Sequence, residues 1–212
     1  MTTEPTARGG DTPGAAGFLG VPELTPEAQR MFEEDIADHG HVMNFSRLWA
    51  YQPATLSGLR GLMQEATSAH QLTLRQRGIL IAACASAFGD SYCSLAWGAR
   101  LAGATDARTA SGVLRGEDDG LTPGEQAMAR WARKVARGPS HTSPADVQAL
   151  RDAGHSDAEI FAMTVFVALR IAFSTVNDAL GARPDAAFRA TAPEAVLGAV
   201  TFGRPIAGPA PG

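Results

Sequence analysis

The chain has 212 residues, of which 45% are apolar and 19% charged, and this composition is typical of a folded globular protein rather than a disordered chain. The formal net charge of −4 argues against a nucleic-acid-binding protein, which would need clustered Lys and Arg. Only two cysteines occur, which excludes a disulfide-rich secreted module.

The composition of the two chain ends and the shortness of the apolar stretches predict a single domain in the cytoplasm. Residues 1–20 contain no basic region followed by an apolar run, so we expect no signal peptide. We predict flexible tails at 1–20 and 203–212 on either side of one domain at 21–202. The apolar stretches at 79–87 and 162–173 are too short, or too interrupted by Arg170, to cross a membrane.

Helix start and stop signals predict an all-α protein. Ser or Thr followed three residues later by Glu or Gln forms a capping box, as at Thr73, Thr122 and Ser156. No run of alternating β-branched residues, which would indicate a strand, is longer than a few positions. The predicted helices are 25–39, 43–51, 53–69, 73–88, 91–102, 105–114, 123–137, 144–153, 157–181 and a short one near 193–200.

Several segments of the predicted domain resemble one known family. Residues 72–103 are similar to the core helical hairpin of the alkylhydroperoxidase-D-like, carboxymuconolactone-decarboxylase-like family. Supporting segments are 121–126, 153–160 and 177–181, with 41–50 similar to the family's lead-in helices. The resemblance covers roughly residues 25–185. It implies a single multi-helix domain around that hairpin, a pocket at its turn, and assembly as a homo-oligomer, as a dimer, trimer or hexamer.

The redox residues of the peroxidase branch are largely replaced in this chain. That branch has C-x-x-C at the start of the second hairpin helix, two His beside it, and a Glu on the preceding helix. The matching positions are Asp90 and Cys93 for the cysteines, Tyr92 and Trp97 for the His, and Gly78 for the Glu. With one thiol at the motif, a two-cysteine peroxidase cycle cannot run there.

The remaining thiol, Cys93, is predicted at the third position of a helix that Asp90 caps. The helix N-terminus lowers the pKa of a thiol, whereas a carboxylate at the cap raises it. We therefore expect a less reactive thiol than in the peroxidases. Cys84 could serve as a resolving partner, but its place in an apolar helix favours a buried, inert residue.

The predicted pocket residues each have a structural and a functional interpretation. Asp90 is a helix cap, or a general acid or base whose pKa is raised by nearby aromatic rings. Tyr92 packs its ring, or donates a proton. Phe88 and Trp97 are predicted to form the pocket wall.

Neither the histidines nor the acidic runs of the sequence form a pattern that predicts a metal site. His70 and His41 are candidate imidazoles, with His70 assigned to the pocket, but a surface role is the more common one. No set of His, Cys and Asp has zinc-like spacing, and no glycine-rich phosphate loop follows a strand. We expect neither metal nor cofactor.

Three functions are compatible with these residues; we expect an enzyme and favour the first of the three. The first is cofactor-free acid/base chemistry on a small organic substrate, with Asp90, Tyr92 and Cys93 as catalytic residues. The second is a single-cysteine thiol peroxidase that uses Cys93. The third is a noncatalytic oligomer that binds a ligand or a partner protein. Neither nucleic acid nor membrane is an expected partner.

Overall fold

The computed structural model describes residues 17–208, and this part of the chain is helical, with no strand. The helices are α1 (Pro26–His39), α2 (Asn44–Trp49), α3 (Pro53–Ser68), α4 (Leu74–Phe88), α5 (Ser91–Ala104), α6 (Ala107–Arg115), α7 (Pro123–Arg137), α8 (Pro144–Asp152), α9 (Asp157–Ala179), α10 (Phe188–Thr191) and α11 (Glu194–Ala199). A 3₁₀ turn lies at Pro139–His141. The all-α prediction is confirmed, and α10 is the helix that the sequence did not indicate.

The capping boxes begin the helices that build the core. Thr73 and Gln76 start α4, Thr122 and Glu125 start α7, and Ser156 and Glu159 start α9. At the start of α9 the Ser156 backbone N–H donates to Glu159 Oε2 at 2.7 Å. Each box satisfies backbone N–H groups that the first helical turn cannot pair.

Helix α4 is the central helix of the domain and packs against α5, α7 and α9. Its Ile79, Leu80 and Ile81 are almost fully buried, which explains why its apolar residues are spread around most of its circumference. Among residues 17–208, α9 alone is long and apolar enough to cross a membrane. It packs against α3, α4 and α7.

The chain reverses between α4 and α5, as predicted. Gly89 adopts φ +91°, a left-handed conformation that glycine accommodates without a Cβ clash, and its N–H donates to the Ala85 carbonyl. Further back on α4, a Cβ on Gly78 would lie 3.3 Å from Leu101 Cβ. The close packing of α4 on α5 therefore leaves little room for a side chain at Gly78, the position that the resemblance aligns with the relay Glu.

Residues 203–208, part of the predicted C-terminal tail, form hydrogen bonds with the helical part of the chain. The Ser91 hydroxyl donates to the Arg204 carbonyl at 2.7 Å, and the Ala207 N–H donates to the Pro184 carbonyl at 2.8 Å. Gly203 adopts φ +70° and lies so close to the hairpin turn that a Cβ would be 2.6 Å from the Gly89 carbonyl oxygen. Hydrogen bonds to its backbone carbonyls, together with the packing of Ile206 against the core, hold this segment.

The described part of the N-terminal segment is also attached. The Phe18 N–H donates to the Leu180 carbonyl at 2.8 Å, and the Arg204 guanidinium lies 4.7 Å from the centre of the Phe18 ring. The rest of the two predicted tails, residues 1–16 and 209–212, lies outside the described residues.

Candidate functional site

Asp90 is the side-chain cap of α5, and both of its carboxylate oxygens are used inside the protein. Oδ1 accepts a hydrogen bond from the Cys93 backbone N–H at 3.0 Å, and Oδ2 accepts one from the Ser174 hydroxyl at 2.5 Å. The residue has no exposed surface. The predicted role of Asp90 as the cap of α5 is therefore confirmed. Ser174 of α9 is the second hydrogen-bond donor to its carboxylate.

Two side chains of α9 converge on the sulfur of Cys93. Arg170 Nη2 lies 3.1 Å from Cys93 Sγ, and Ser174 Oγ lies 3.7 Å from it. Residues four positions apart on a helix share one face, so α9 presents a guanidinium and a hydroxyl to the thiol together. The result is a chain of polar contacts that runs from Asp90 through Ser174 and Cys93 to Arg170.

Aromatic rings hold the Arg170 guanidinium in place. It lies 5.0 Å from the centre of the Phe173 ring and 5.7 Å from that of Trp97. These cation–π contacts fix the planar group while its N–H edges stay free to donate. Cys93 is buried, whereas Arg170 and Trp97 are half-buried, so Arg170 connects the sulfur to the surface.

Burial raises the pKa of the Cys93 thiol well above its ordinary value, and the negative charge of Asp90 adds to this effect. The positive charge of Arg170 opposes both. The resting thiol is therefore protonated at neutral pH. Cys84 is buried as well, burial raises its pKa to about 12, and neither cysteine is in a disulfide.

Tyr92 belongs to a different cluster from Cys93. Its hydroxyl donates a short hydrogen bond to Asp185 Oδ2, and Asp185 Oδ1 accepts from the Asn44 backbone N–H at 2.8 Å. The Tyr92 ring packs edge-on against Phe45 and Phe188. Burial, reinforced by the Asp185 charge, raises the pKa of the Tyr92 hydroxyl well above its usual value. From this geometry we infer a structural role for Tyr92 in place of the predicted catalytic one.

The other predicted pocket residues are dispersed. Trp97 lies beside Arg170, as described above, and Phe88 is half-buried at the end of α4. His70 lies near Glu159 at the start of α9, about 16 Å along that helix from Arg170. His41 Nε2 lies 3.7 Å from Asp185 Oδ1, in the Tyr92 cluster. Within residues 17–208, no three His, Cys, Asp or Glu side chains converge as metal ligands would.

A neighbouring carboxylate, Asp178, makes the stability of this region depend on pH. Burial raises its pKa from 3.8 to about 6, the negative charge of Asp90 adds to this, and Arg204 opposes it. Because the pKa is raised in the folded state, the protonated form favours folding, and stability falls as the pH rises from about 4 through 6.

Asp178→Asn is therefore expected to stabilise the protein at pH 8 and to have little effect at pH 4. Asp178 is only half-buried, so we expect a gain of about 1 kcal/mol at pH 8 after allowing for solvent screening. Melting temperatures of wild type and variant across this pH range provide the measurement. Parallel curves for the two proteins would contradict the raised pKa.

The helical arrangement around this site is the alkylhydroperoxidase-D-like fold. An uncharacterized peroxidase-related protein from Silicibacter superposes with a TM-score of 0.73 at 22% identity, over 84% of this chain and 97% of that one. The alkylhydroperoxidase core of an uncharacterized peroxidase-related protein from Ralstonia eutropha superposes with a TM-score of 0.68 at 22% identity. The match covers 82% of this chain and 95% of that one.

A third solved structure with this fold is a debrominase, crystallised as a cysteine-to-alanine variant in complex with 2,3,4-tribromopyrrole. It superposes with a TM-score of 0.66 at 18% identity, over 81% of this chain and 94% of that one. No family model matches the sequence, and neither does any curated protein. The predicted fold is thus confirmed by structural similarity.

Proposed function

We propose that the protein is a single-cysteine thiol peroxidase, in which Cys93 reduces a peroxide and a low-molecular-weight thiol restores it. The observation that carries this proposal is the 3.1 Å contact between Arg170 Nη2 and Cys93 Sγ. A guanidinium in that position stabilises a sulfur anion and the oxygen anion that leaves when the peroxide bond breaks. The peroxidase-related structural neighbours support the same class of reaction.

The contacts around Cys93 suggest where its proton goes. Ser174 Oγ already donates its own proton to Asp90, so its lone pairs are available to accept the thiol proton at 3.7 Å. As the sulfur attacks the outer peroxide oxygen, the thiol proton moves to Ser174 and the hydroxyl proton moves to Asp90. This relay explains how a thiol with a raised pKa can react without being ionised beforehand.

The complete cycle conserves atoms and electrons. Cys93 attacks one peroxide oxygen, the O–O bond breaks, and the other oxygen leaves as an alcohol or water with the proton returned through Ser174. Cys93 is then a sulfenic acid. One external thiol displaces water to give a mixed disulfide, and a second releases Cys93 as a thiol together with the external disulfide.

The acid/base alternative has less support from the site. A general base needs a free oxygen that reaches the substrate, whereas both Asp90 oxygens already accept hydrogen bonds from Cys93 and Ser174. In our proposal Asp90 acts through Ser174, as a positioning and proton-accepting residue. The debrominase neighbour supports the view that this fold accommodates small organic substrates.

Turnover with a defined peroxide and thiol tests the proposal. Purified protein is mixed with cumene hydroperoxide and excess dithiothreitol, and both peroxide loss and oxidised dithiothreitol are followed. We expect one disulfide of dithiothreitol for each peroxide consumed, over many turnovers per chain. Consumption no faster than in a protein-free mixture would contradict the function.

Arg170→Met tests the residue that carries the proposal. Methionine keeps an unbranched side chain among Phe173, Trp97 and Met63 but removes the charge and the N–H donors. We expect the rate of peroxide consumption to fall about 100-fold, a typical loss when one donor to a developing anion is removed. An unchanged rate in folded Arg170→Met would exclude this role for Arg170.

A further inference from the structure

Three arginines lie together at the surface beside Cys93 without a carboxylate partner. Arg60 of α3 and Arg100 of α5 are exposed, and Arg170 of α9 is half-buried. In residues 17–208, no Asp or Glu forms an ion pair with any of the three. Within the described part of the chain, the hydrogen-bond acceptors of the Arg170 guanidinium are the sulfur atoms of Cys93 and Met63.

The positive charges of Arg170 and Arg60 act on Arg100. Desolvation lowers the pKa of Arg100, and repulsion from Arg170 and, more weakly, from Arg60 lowers it further. Like charges so arranged destabilise the folded chain unless an anion lies between them. An exposed arginine normally stays in water or pairs with a carboxylate, so this convergence calls for an anionic ligand.

The faces of the nearby aromatic rings position the guanidiniums. Arg100 lies 4.9 Å from the centre of the Trp97 ring, on the ring that Arg170 also contacts. Arg60 lies 5.6 Å from the centre of the Phe45 ring, which is 5.4 Å from that of Phe173. The guanidiniums are therefore ordered by stacking, and their N–H edges remain available to an oxyanion.

We infer that Arg60, Arg100 and Arg170 form a binding subsite for the carboxylate of a small aromatic acid. The guanidinium edges match the two oxygens of a carboxylate, and the surrounding rings and Met63 sulfur suit an apolar planar body better than a hydrated inorganic ion. The subsite lies beside Cys93, because Arg170 belongs to the subsite and contacts the sulfur of Cys93. It goes beyond the proposed peroxidase activity, because a ligand can bind there whether or not the thiol reacts.

Calorimetry with benzoate, benzamide and inorganic phosphate tests the subsite without turnover. We expect saturable 1:1 binding of benzoate, and binding of benzamide and phosphate at least about tenfold weaker, since one lacks the charge and the other the ring. Benzoate that fails to bind, or that binds no tighter than benzamide or phosphate, would overturn the inference.

Exposed arginines offer variants that keep the fold. The double variant Arg60→Gln with Arg100→Gln is expected to weaken benzoate binding at least about tenfold, as for the loss of a charge-assisted pair. Arg130→Gln, an exposed arginine on α7, is the matched control and should bind benzoate as wild type does. An equal loss in the control, or no loss in the double variant, would assign binding to net charge or to another place.

The same titration on Cys93→Ser separates this subsite from the proposed function. If benzoate binds to Cys93→Ser as to wild type, the subsite stands even where peroxide turnover fails. If the serine variant is folded and no longer binds benzoate, the carboxylate depends on the sulfur rather than on the three arginines, and the inference is wrong.

Discussion

Cys93→Ser is expected to reduce thiol-dependent peroxide consumption to the rate of the mixture without protein. A serine hydroxyl ionises far less readily than a thiol and cannot be oxidised to a sulfenic acid, so the first step of the cycle is lost entirely. The substitution is nearly isosteric, and the new hydroxyl can still accept from Arg170 and donate to Ser174. We therefore expect the variant to fold, which circular dichroism and thermal melting can verify.

Cys84→Ala is the matched control for this loss. Cys84 is buried in α4 within the hydrophobic core, nine residues before Cys93, and it forms no disulfide. Alanine preserves the apolar character of the site, so turnover should stay near that of wild type. Equal loss in both cysteine variants would indicate a two-thiol cycle, and full turnover in Cys93→Ser would remove the proposed nucleophile.

Of the substitutions proposed for this protein, Asp185→Ala is expected to lower the free energy of unfolding the most. Its carboxylate accepts from the Tyr92 hydroxyl and from the Asn44 backbone N–H, and it is 3% exposed. Alanine would leave both donors buried without an acceptor, at a cost of about 3 kcal/mol. Chemical denaturation measures the free energy of unfolding directly.

Asp185→Asn should lose much less stability than the alanine variant. The amide oxygen can still accept from the Asn44 N–H, and the amide N–H can donate to the Tyr92 oxygen. A loss below about 1 kcal/mol for Asp185→Ala would show that water or a shifted side chain satisfies these donors. In that case Tyr92 would not have the structural role assigned to it.

The local parts of the fold could be predicted from sequence because their signals lie within a few residues of one another. The capping box at Thr73 and the reversal at Gly89 depend on residue chemistry within one helical turn. The cap formed by Asp90 on Cys93 spans three residues and was predicted for the same reason. In contrast, the attachment of residues 203–208 depends on hydrogen bonds to distant segments, which composition does not reveal.

The partners of Cys93 could not be predicted because they come from a distant helix. Arg170 and Ser174 are 77 and 81 positions along the chain from Cys93. One signal was present, since Arg170 interrupts an otherwise apolar stretch, and a charge on a helix that packs against the core requires a partner. Asp185 gave no comparable signal, so Tyr92 was assigned to the pocket rather than to its own buried cluster.

Oxidation of Cys93 is the reaction on which the account depends, and mass spectrometry measures it most directly. The protein is treated with one equivalent of cumene hydroperoxide in the presence of dimedone, which traps sulfenic acids, and is then digested without reductant. We predict one dimedone adduct on the peptide that contains Cys93, and Cys84 as a free thiol. An unmodified Cys93, or a disulfide between Cys84 and Cys93, would contradict single-cysteine chemistry at this site.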